Sequence, residues 1–367
     1  MHEIDLEYYA PRFQIVINGM LTQVAIAQSV LSVTVNQEVN KPNSFTFDVQ
    51  DDLIHVGEDA QSLREQFQWL GHDLFKYGND ISIAMGYLNT LAPLMEGKIQ
   101  KITAKFSDSS APSFTIEGAD RASESLTLPS DTKVFSQKTY SEMVREIAAG
   151  AKPNLRAIVD DTHEVIPRQV KKGGESYLKF LLGLAKANEG FEFALVGRDL
   201  LFRRAKKDQA AQIALAWGKN LMNFQTTLNT GQAITEVIVR AWDKAGKKMI
   251  EGRAGAGDEQ IQEEGKRLAS QVARDVYGDV VKVVTDKPVR NEAEAKKEAK
   301  AILDKAGDNL ITARGETMGM PELQPGVCVE LAGLGSWFSG KYYVNKVTHR
   351  FDQNGYRSNF EAKRNAI

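Results

Sequence analysis

The chain nearly repeats one strand–turn–strand segment at two distant places. Lys101–Phe106 and Lys346–Phe351 share the order Lys, β-branched residue, Thr, any residue, basic residue, Phe, and they begin 245 positions apart, at residues 101 and 346. A Gly-Lys pair precedes each copy, and a polar turn with a further strand follows each one. Such a repeat indicates two copies of one β-domain in a single chain, which constrains both the fold and any assembly that the chain forms.

The composition excludes several classes of protein. Of 367 residues, 42% are hydrophobic and 26% are charged, and the net charge is −2. This balance supplies no bulk attraction to nucleic acid, and no stretch approaches the roughly 18 apolar residues of a membrane helix. We therefore expect no nucleic-acid recognition and no membrane segment. Cys328 is the single cysteine, which excludes an intramolecular disulfide and a multi-cysteine zinc site.

Alternating apolar and polar residues dominate the first third of the chain. Four segments have the two-residue period of a half-buried strand: 13–19, 30–35, 44–49 and 80–86. They predict a first tube-like antiparallel β-barrel over residues 1–125. Four apolar residues then recur at helical spacing, at Leu63, Phe67, Leu70 and Leu74. This spacing predicts an amphipathic helix over residues 59–76, inserted into the barrel.

The pattern changes to helical periods after residue 125. Thr139 and Glu142 have the spacing of a capping box, and Ser176 precedes a second segment of helical period. A hairpin pattern follows at 191–203. These elements predict a small α/β module over residues 126–210.

Strand patterns return in the last part of the chain, on both sides of a charged, Ala-rich segment. They predict a second tube-like β-barrel made of residues 211–245 plus 310–367, with an α/β insertion at 246–309. The predicted class is therefore α+β, with two tube-like antiparallel β-barrel domains, one α/β module between them and another inserted into the second barrel.

The sequence contains no pattern of a catalytic, cofactor or metal site. Gly252–Gly257 is glycine-rich but fits neither the dinucleotide fingerprint nor the P-loop, so a flexible connector is predicted there. The histidines lack metal-ligand spacing: His2, His55, His72, His163 and His349. Asp51 and Asp52 are adjacent, and neighbouring strand residues point to opposite faces, so they form no acid–base pair. We expect no enzyme, no cofactor and no metal.

Three segments resemble the phage late control protein D family, the baseplate hub proteins of contractile phage tails, tailocins and contractile injection systems. The segments are Tyr9–Phe13 before a strand ending in Asn-Gly, Leu215–Leu221, and Leu228–Asp243. The resemblance implies a homotrimer in which each subunit supplies two tube-like barrels. Such a ring joins the sixfold tail tube to the threefold central spike.

The same resemblance implies the partners and the location of the protein. The expected partners are other copies of the chain, a spike protein, a tail tube or tube initiator protein, and other baseplate components. Some relatives continue into a spike, whereas this sequence stops at Ile367, so the spike is expected to be a separate protein. Assembly is expected in the bacterial cytoplasm, with the protein becoming part of a phage tail or injection particle baseplate.

The repeated strands give candidate site residues. The two-residue period places one set of polar side chains on a single face: Lys101, Thr103 and Lys105 in the first copy, and Lys346, Thr348 and Arg350 in the second. This face lines the lumen of the ring, lies against a neighbouring barrel, or is an ordinary solvated face. Tyr9, Arg12 and Phe13 form an N-terminal arm that docks on an adjacent subunit or packs on its own barrel.

One alternative function stays open at this point. An α+β enzyme or ligand-binding protein would use a cleft between a barrel and the α/β modules. Its sign would be a rigid monomer with a deep polar pocket, whereas a ring-forming trimer would indicate the hub.

Overall fold

The protein is described by a computed structural model over residues 10–22, 24–56, 64–88, 90–188, 190–243, 246–260, 265–286 and 289–367. In these ranges the structure is mostly antiparallel sheet with a smaller share of helix, so the α+β class is confirmed. None of the helices described combines the length and the apolar character that crossing a bilayer requires.

The first β-unit precedes residue 121. In chain order its elements are β1 (Pro11–Ile17), β2 (Met20–Leu21), α1 (Val24–Ser29), β3 (Val30–Glu38), β4 (Ser44–Gln50), β5 (Leu53–Val56), β6 (Arg64–Phe67), β7 (Asp80–Tyr87), β8 (Thr90–Lys105) and β9 (Ser113–Asp120). The strands pair in the order β3-β4-β9-β8-β7-β1-β2, and all these pairs are antiparallel. Alternation fixes the buried face: Phe45, Phe47 and Val49 of β4 lie in the core.

The helix predicted over residues 59–76 is wrong for the part that the structure describes. Residues 64–67 form β6, which pairs with β5, and a short 3₁₀ turn covers Asp73–Phe75; residues 59–63 lie outside the described residues. The Asp51 carboxylate accepts the backbone N–H groups of Trp69 and Leu70 at 3.0 and 2.7 Å. These long-range hydrogen bonds hold the backbone in a loop and override the local helical spacing.

The α/β module follows, with α2 (Glu124–Thr127), β10 (Lys133–Lys138), α3 (Tyr140–Gly150), β11 (Arg156–Val159), β12 (Ile166–Lys171), α4 (Tyr177–Ala187), β13 (Phe191–Val196) and β14 (Asp199–Arg204). The predicted capping box opens α3: Thr139 accepts the Glu142 N–H, and the Glu142 carboxylate accepts the Thr139 N–H. Ser176 caps α4, and β13 and β14 form the predicted hairpin. The module has its own core between its helices and strands.

The remaining elements form a second β-unit and its insertion. In chain order they are β15 (Ile213–Ala216), β16 (Leu221–Leu228), β17 (Glu236–Asp243), β18 (Lys248–Gly255), α5 (Ala269–Tyr277), β19 (Val281–Val284), α6 (Glu292–Gly307), β20 (Ile311–Met318), β21 (Cys328–Ala332), α7 (Gly335–Phe338), β22 (Gly340–Asp352) and β23 (Gly355–Arg364). The second unit has the strand order β16-β20-β23-β22-β21-β15. Strands β18, β17 and β19 form a separate small sheet against α6.

Two details differ from the sequence prediction. Strand β17 pairs with β18 and β19, so the structure places residues 236–243 in the sheet of the insertion and not in the second barrel. Gly252 lies within β18 and not in a flexible connector; a Cβ there would come within 2.1 Å of the α6 backbone. The glycine therefore serves the close approach of a helix to a strand.

The two β-units share one continuous sheet. Strand β22 of the second unit pairs with β3 of the first, and in the described residues the resulting sheet has 13 strands. The α/β module is attached to both units. Asn43 donates a hydrogen bond to the Leu195 carbonyl at 2.7 Å, and the Tyr343 hydroxyl donates to the buried carboxylate of Glu192. These contacts fix the module beside the joint between the units.

Candidate assembly interface

The two sequence copies occupy equivalent strands of two equivalent units. Lys101–Lys105 ends β8 and Phe106 follows it, and Lys346–Phe351 lies in the second half of β22. Around them the order β3-β4-β9-β8-β7 matches the order β16-β20-β23-β22-β21. The strand connectivity therefore repeats together with the sequence.

Irregularities of register confirm that the units are equivalent. The pairing of β8 with β9 shifts between Ile99 and Lys101, and the pairing of β22 with β23 shifts between Val344 and Lys346. The first strands of the units behave alike, with shifts at Leu31 in β3 and at Met222 in β16. A bulge bends a strand at a fixed place. Bulges at matching places in β8 and β22, and again in β3 and β16, are therefore a strong sign of duplication.

A joint inside the chain connects the two units, edge to edge. Strand β22 pairs antiparallel with β3, from Lys346 opposite Glu38 to Phe351 opposite Val33. In the middle of this joint, Thr348 Oγ1 donates to Asn36 Oδ1 at 2.8 Å. The second copy of the repeat is thus a seam between two units.

His349 is enclosed at this seam. Its side chain is 0% exposed, and the hydroxyls of Tyr356 and Ser358 lie 2.9 and 3.0 Å from Nδ1. Burial disfavours the charged imidazolium and lowers the pKa of His349 to about 4. Sequence reasoning missed this role, because His349 has no ligand-type spacing. Its equivalence to the small, exposed Ala104 is the difference of side-chain class that distinguishes the two copies.

The first copy has no such cover. Val347 is 0% exposed in the joint, whereas its equivalent Ile102 is 38% exposed, and Phe106 is 62% exposed. Within the described ranges, no strand pairs with β8 along the edge of Lys101–Lys105 that faces away from β9. The same sequence element is therefore a closed seam in one unit and an open edge in the other.

Ion pairs involve three of the polar side chains that the sequence analysis assigned to one face of the repeat strands. Lys101 contacts Glu117 at 2.8 Å and Lys346 contacts Glu361 at 3.7 Å across strands, whereas Arg350 contacts Asp352 within β22. Side chains of the second set, namely Lys346 and Thr348, border an open cleft of about 390 Å³. Those of the first set, Lys101, Thr103 and Lys105, are exposed. The structure does not bring the two sets together into one site.

The predicted N-terminal arm is part of the sheet where it is described. Arg12 and Phe13 lie within β1, and the Arg12 guanidinium donates to the Leu88 carbonyl at 3.2 Å. The Phe13 ring packs on Phe351 of the same chain, with 4.8 Å between ring centroids. Of the two alternatives, the described part packs on its own chain. Tyr9 lies outside the described residues.

A second open cleft, of about 330 Å³, lies between the α/β module and the insertion, where an enzyme would place its site. It is lined by Asp160, Arg204, Ala205, Lys206, Asp208, Gln260 and Lys300. That set contains no serine, cysteine or histidine, and its titratable side chains are two carboxylates among three basic groups. In the described part of the chain, no group of three or more acidic, histidine or cysteine side chains is placed to hold a metal ion.

Comparisons with known proteins give one family and several solved structures of similar fold. The family model described as the Alg8 N-terminal domain matches residues 9–353; its description states no activity. No curated protein matches the sequence. The 43 kDa tail protein of prophage MuSo2 from Shewanella oneidensis is 14% identical, with a TM-score of 0.71 over 96% of this chain and 98% of that chain.

Two further structures are similar over nearly the whole chain. A tail protein from Neisseria meningitidis is 13% identical, with a TM-score of 0.70 over 97% of each chain. A component of the type VI secretion system of Escherichia coli, described as structurally similar to T4 bacteriophage tail proteins, is 13% identical, with a TM-score of 0.55 over 95% of this chain and 76% of that chain. The fold is thus that of phage tail proteins.

Proposed function

Because the chain belongs to the family described as the Alg8 N-terminal domain and has the fold of phage tail proteins, we propose that it is the structural baseplate hub of a contractile tail or injection particle. In this proposal the chain is a member of the late control protein D family without catalytic activity. It assembles in the bacterial cytoplasm and binds other copies of itself, a spike protein, a tail tube or tube initiator protein, and other baseplate components.

The duplicated unit carries the proposal. Each chain holds two units of equal strand order, already joined edge to edge through β22 and β3. Three chains give a ring of six similar units that has only threefold symmetry. The six similar units of such a ring fit a sixfold tube on one side. Any difference between the two units of a chain recurs at every second unit around the ring, so the other side fits a threefold spike.

The polar face of the repeat strands is the proposed lining of the ring or the surface between its units. In the second copy the opposite face of the strand enters the core, as Val347 does, so the polar side chains point away from that core. Cross-strand ion pairs such as Lys101 with Glu117 place opposite charges next to each other on this face.

The oligomeric state tests the proposal. Size-exclusion chromatography with light scattering is expected to give three times the 40.6 kDa of one chain, and negative-stain images are expected to show rings. A rigid monomer at every concentration, with a ligand bound in a deep pocket, would contradict the hub and favour the enzyme alternative.

Charge reversal tests the polar face in the particle. Lys105→Glu combined with Arg350→Glu is expected to lower particle yield or injection, because both side chains are exposed on that face. Exposed substitutions of this kind change the free energy of unfolding by about 0.5 kcal/mol or less, so folding is preserved. Lys297→Glu, at an exposed position of helix α6, is the matched control. Normal yield and injection by the double variant would exclude this role of the face.

A further inference from the structure

Two open strand edges lie in the main sheet. One is the edge of β8 over Lys101–Lys105 that faces away from β9, and the other is the edge of β16 that faces away from β20. Among the described residues no strand pairs along either edge, apart from a single bridge at Leu221. Open edges expose unpaired backbone donors and acceptors, and proteins normally cover them. Apolar side chains lie along these edges as well, including Ile102, Phe106 and Met222.

The joint inside the chain shows what each edge pairs with. Strand β22 is the equivalent of β8, and β3 is the equivalent of β16, because the bulges at Leu31 and Met222 coincide. The pairing of β22 with β3 therefore specifies a pairing of β8 with β16. Strand β16 ends the sheet, and in the described residues neither open edge pairs with a strand of its own chain, so we place the partner of each edge in a second chain.

We propose that the open edge of β8 pairs antiparallel with the open edge of β16 in a second copy of this chain, with Thr103 opposite Thr227. The register follows from the internal joint, in which Thr348 lies opposite Asn36. Thr348 is the equivalent of Thr103, and Asn36 is the equivalent of Thr227.

The side chains are compatible in this register. On the face that continues the cores, Ile102 comes opposite Leu228 and Phe106 comes opposite Phe224, and both residues of β16 are half-buried on that side. On the polar face, Thr103 meets Thr227, a pair that forms hydrogen bonds across strands. The other polar pairs join Lys101 with Asn229 and Lys105 with Gln225. No like charges meet, and cross-strand like charges would destabilise the pair.

This contact is head-to-tail, because β8 and β16 are different strands. Head-to-tail contacts close into a ring when the rotation between neighbours divides a full turn, and otherwise extend into filaments. The inference rests on the proposed hub, since it names the surface through which the copies of the ring bind each other. It is nevertheless separable, because a trimer held by other surfaces would keep the hub and refute this pairing.

Cysteine cross-linking tests the register. A tagged Thr103→Cys variant is mixed with an untagged Thr227→Cys variant under mild oxidation, and a disulfide between the two species is expected. The control pair is Thr103→Cys with Asn223→Cys, four residues out of register on the same strand. It is expected to cross-link at least about tenfold less, because cysteines more than about 7 Å apart cannot be bridged. A single chain with Asn36→Cys and Thr348→Cys serves as the positive control.

A proline variant tests the edge without an added thiol. The Val39 N–H donates to the Asn345 carbonyl at 3.1 Å, so by alternation His349 turns its backbone groups toward β3. Its equivalent Ala104 then turns its N–H toward the open edge, and Ala104→Pro removes that donor without breaking a bond to β9. The variant is expected to lose the oligomer while its circular dichroism spectrum stays unchanged.

The outcomes separate the proposals. Cross-linked trimeric rings support both the pairing and the hub, and cross-linked chains of another number support the pairing but contradict the threefold ring. A trimer that forms no Thr103–Thr227 cross-link, or that survives Ala104→Pro, overturns the pairing and leaves the hub. A chain that stays monomeric and uncross-linked at the highest attainable concentration overturns the pairing.

Discussion

Acid is expected to weaken the seam between the two β-units through His349. The folded pKa of about 4 lies below the usual 6.5 because burial disfavours the charged ring. The unfolded chain therefore binds a proton that the folded chain excludes between these two values. The contribution of His349 to stability is fully present above pH 6.5 and is lost as the pH falls toward 4.

The magnitude follows from the difference between the two pKa values. The usual 6.5 and the folded value of about 4 correspond to about 3 kcal/mol once the pH falls below both values. About 2.5 kcal/mol of this is already lost at pH 4.5. That is a large part of the roughly 5 to 15 kcal/mol by which domains are stable.

Urea unfolding at pH 7.5 and pH 4.5 measures this contribution. Carboxyl groups titrate over the same interval, so wild type is compared with His349→Gln, in which the imidazole is removed and the carboxyl groups remain. The free energy of unfolding of the variant is expected to fall by about 2.5 kcal/mol less than that of wild type between the two pH values. Equal pH dependence of the two proteins would refute the reasoning, because His349 would then be protonated or solvated in the folded state.

Three further expectations follow from single contacts. Gly252→Ala is expected to lower the free energy of unfolding by about 1–3 kcal/mol, since its Cβ would meet the α6 backbone at 2.1 Å, whereas Gly255→Ala has open space within 4 Å and serves as the control in the same thermal melts. Thr139→Ala is expected to cost about 1 kcal/mol through the lost capping box, and an unchanged melting temperature would contradict this. Burial raises the pKa of Cys328 to about 11, so the folded protein is expected not to react with a thiol reagent at pH 8 and to react once urea unfolds it.

Local sequence patterns correctly predicted the elements that depend on interactions between residues close together in the sequence. Thr139 and Glu142 are three residues apart, and the helix start that they form needs no distant partner. The hairpin of β13 and β14 likewise depends on a short turn at Gly197. The helix prediction for the described residues before 76 was wrong because Asp51, which is distant along the chain, holds their backbone in a loop. The strand predicted at β17 is present, but its assignment to the second barrel was wrong, since its partners β18 and β19 belong to the insertion.

The sequence by itself determined that the chain holds two copies of one β-unit, because Lys101–Phe106 and Lys346–Phe351 carry the same order of side chains. It also determined the two faces of those strands, since alternation is a local property. Only the tertiary structure decided that the second copy is closed by β3 while the first copy stays open. Backbone hydrogen bonds are alike in every strand, so the choice of partner at a sheet edge depends on which edges the rest of the fold brings together.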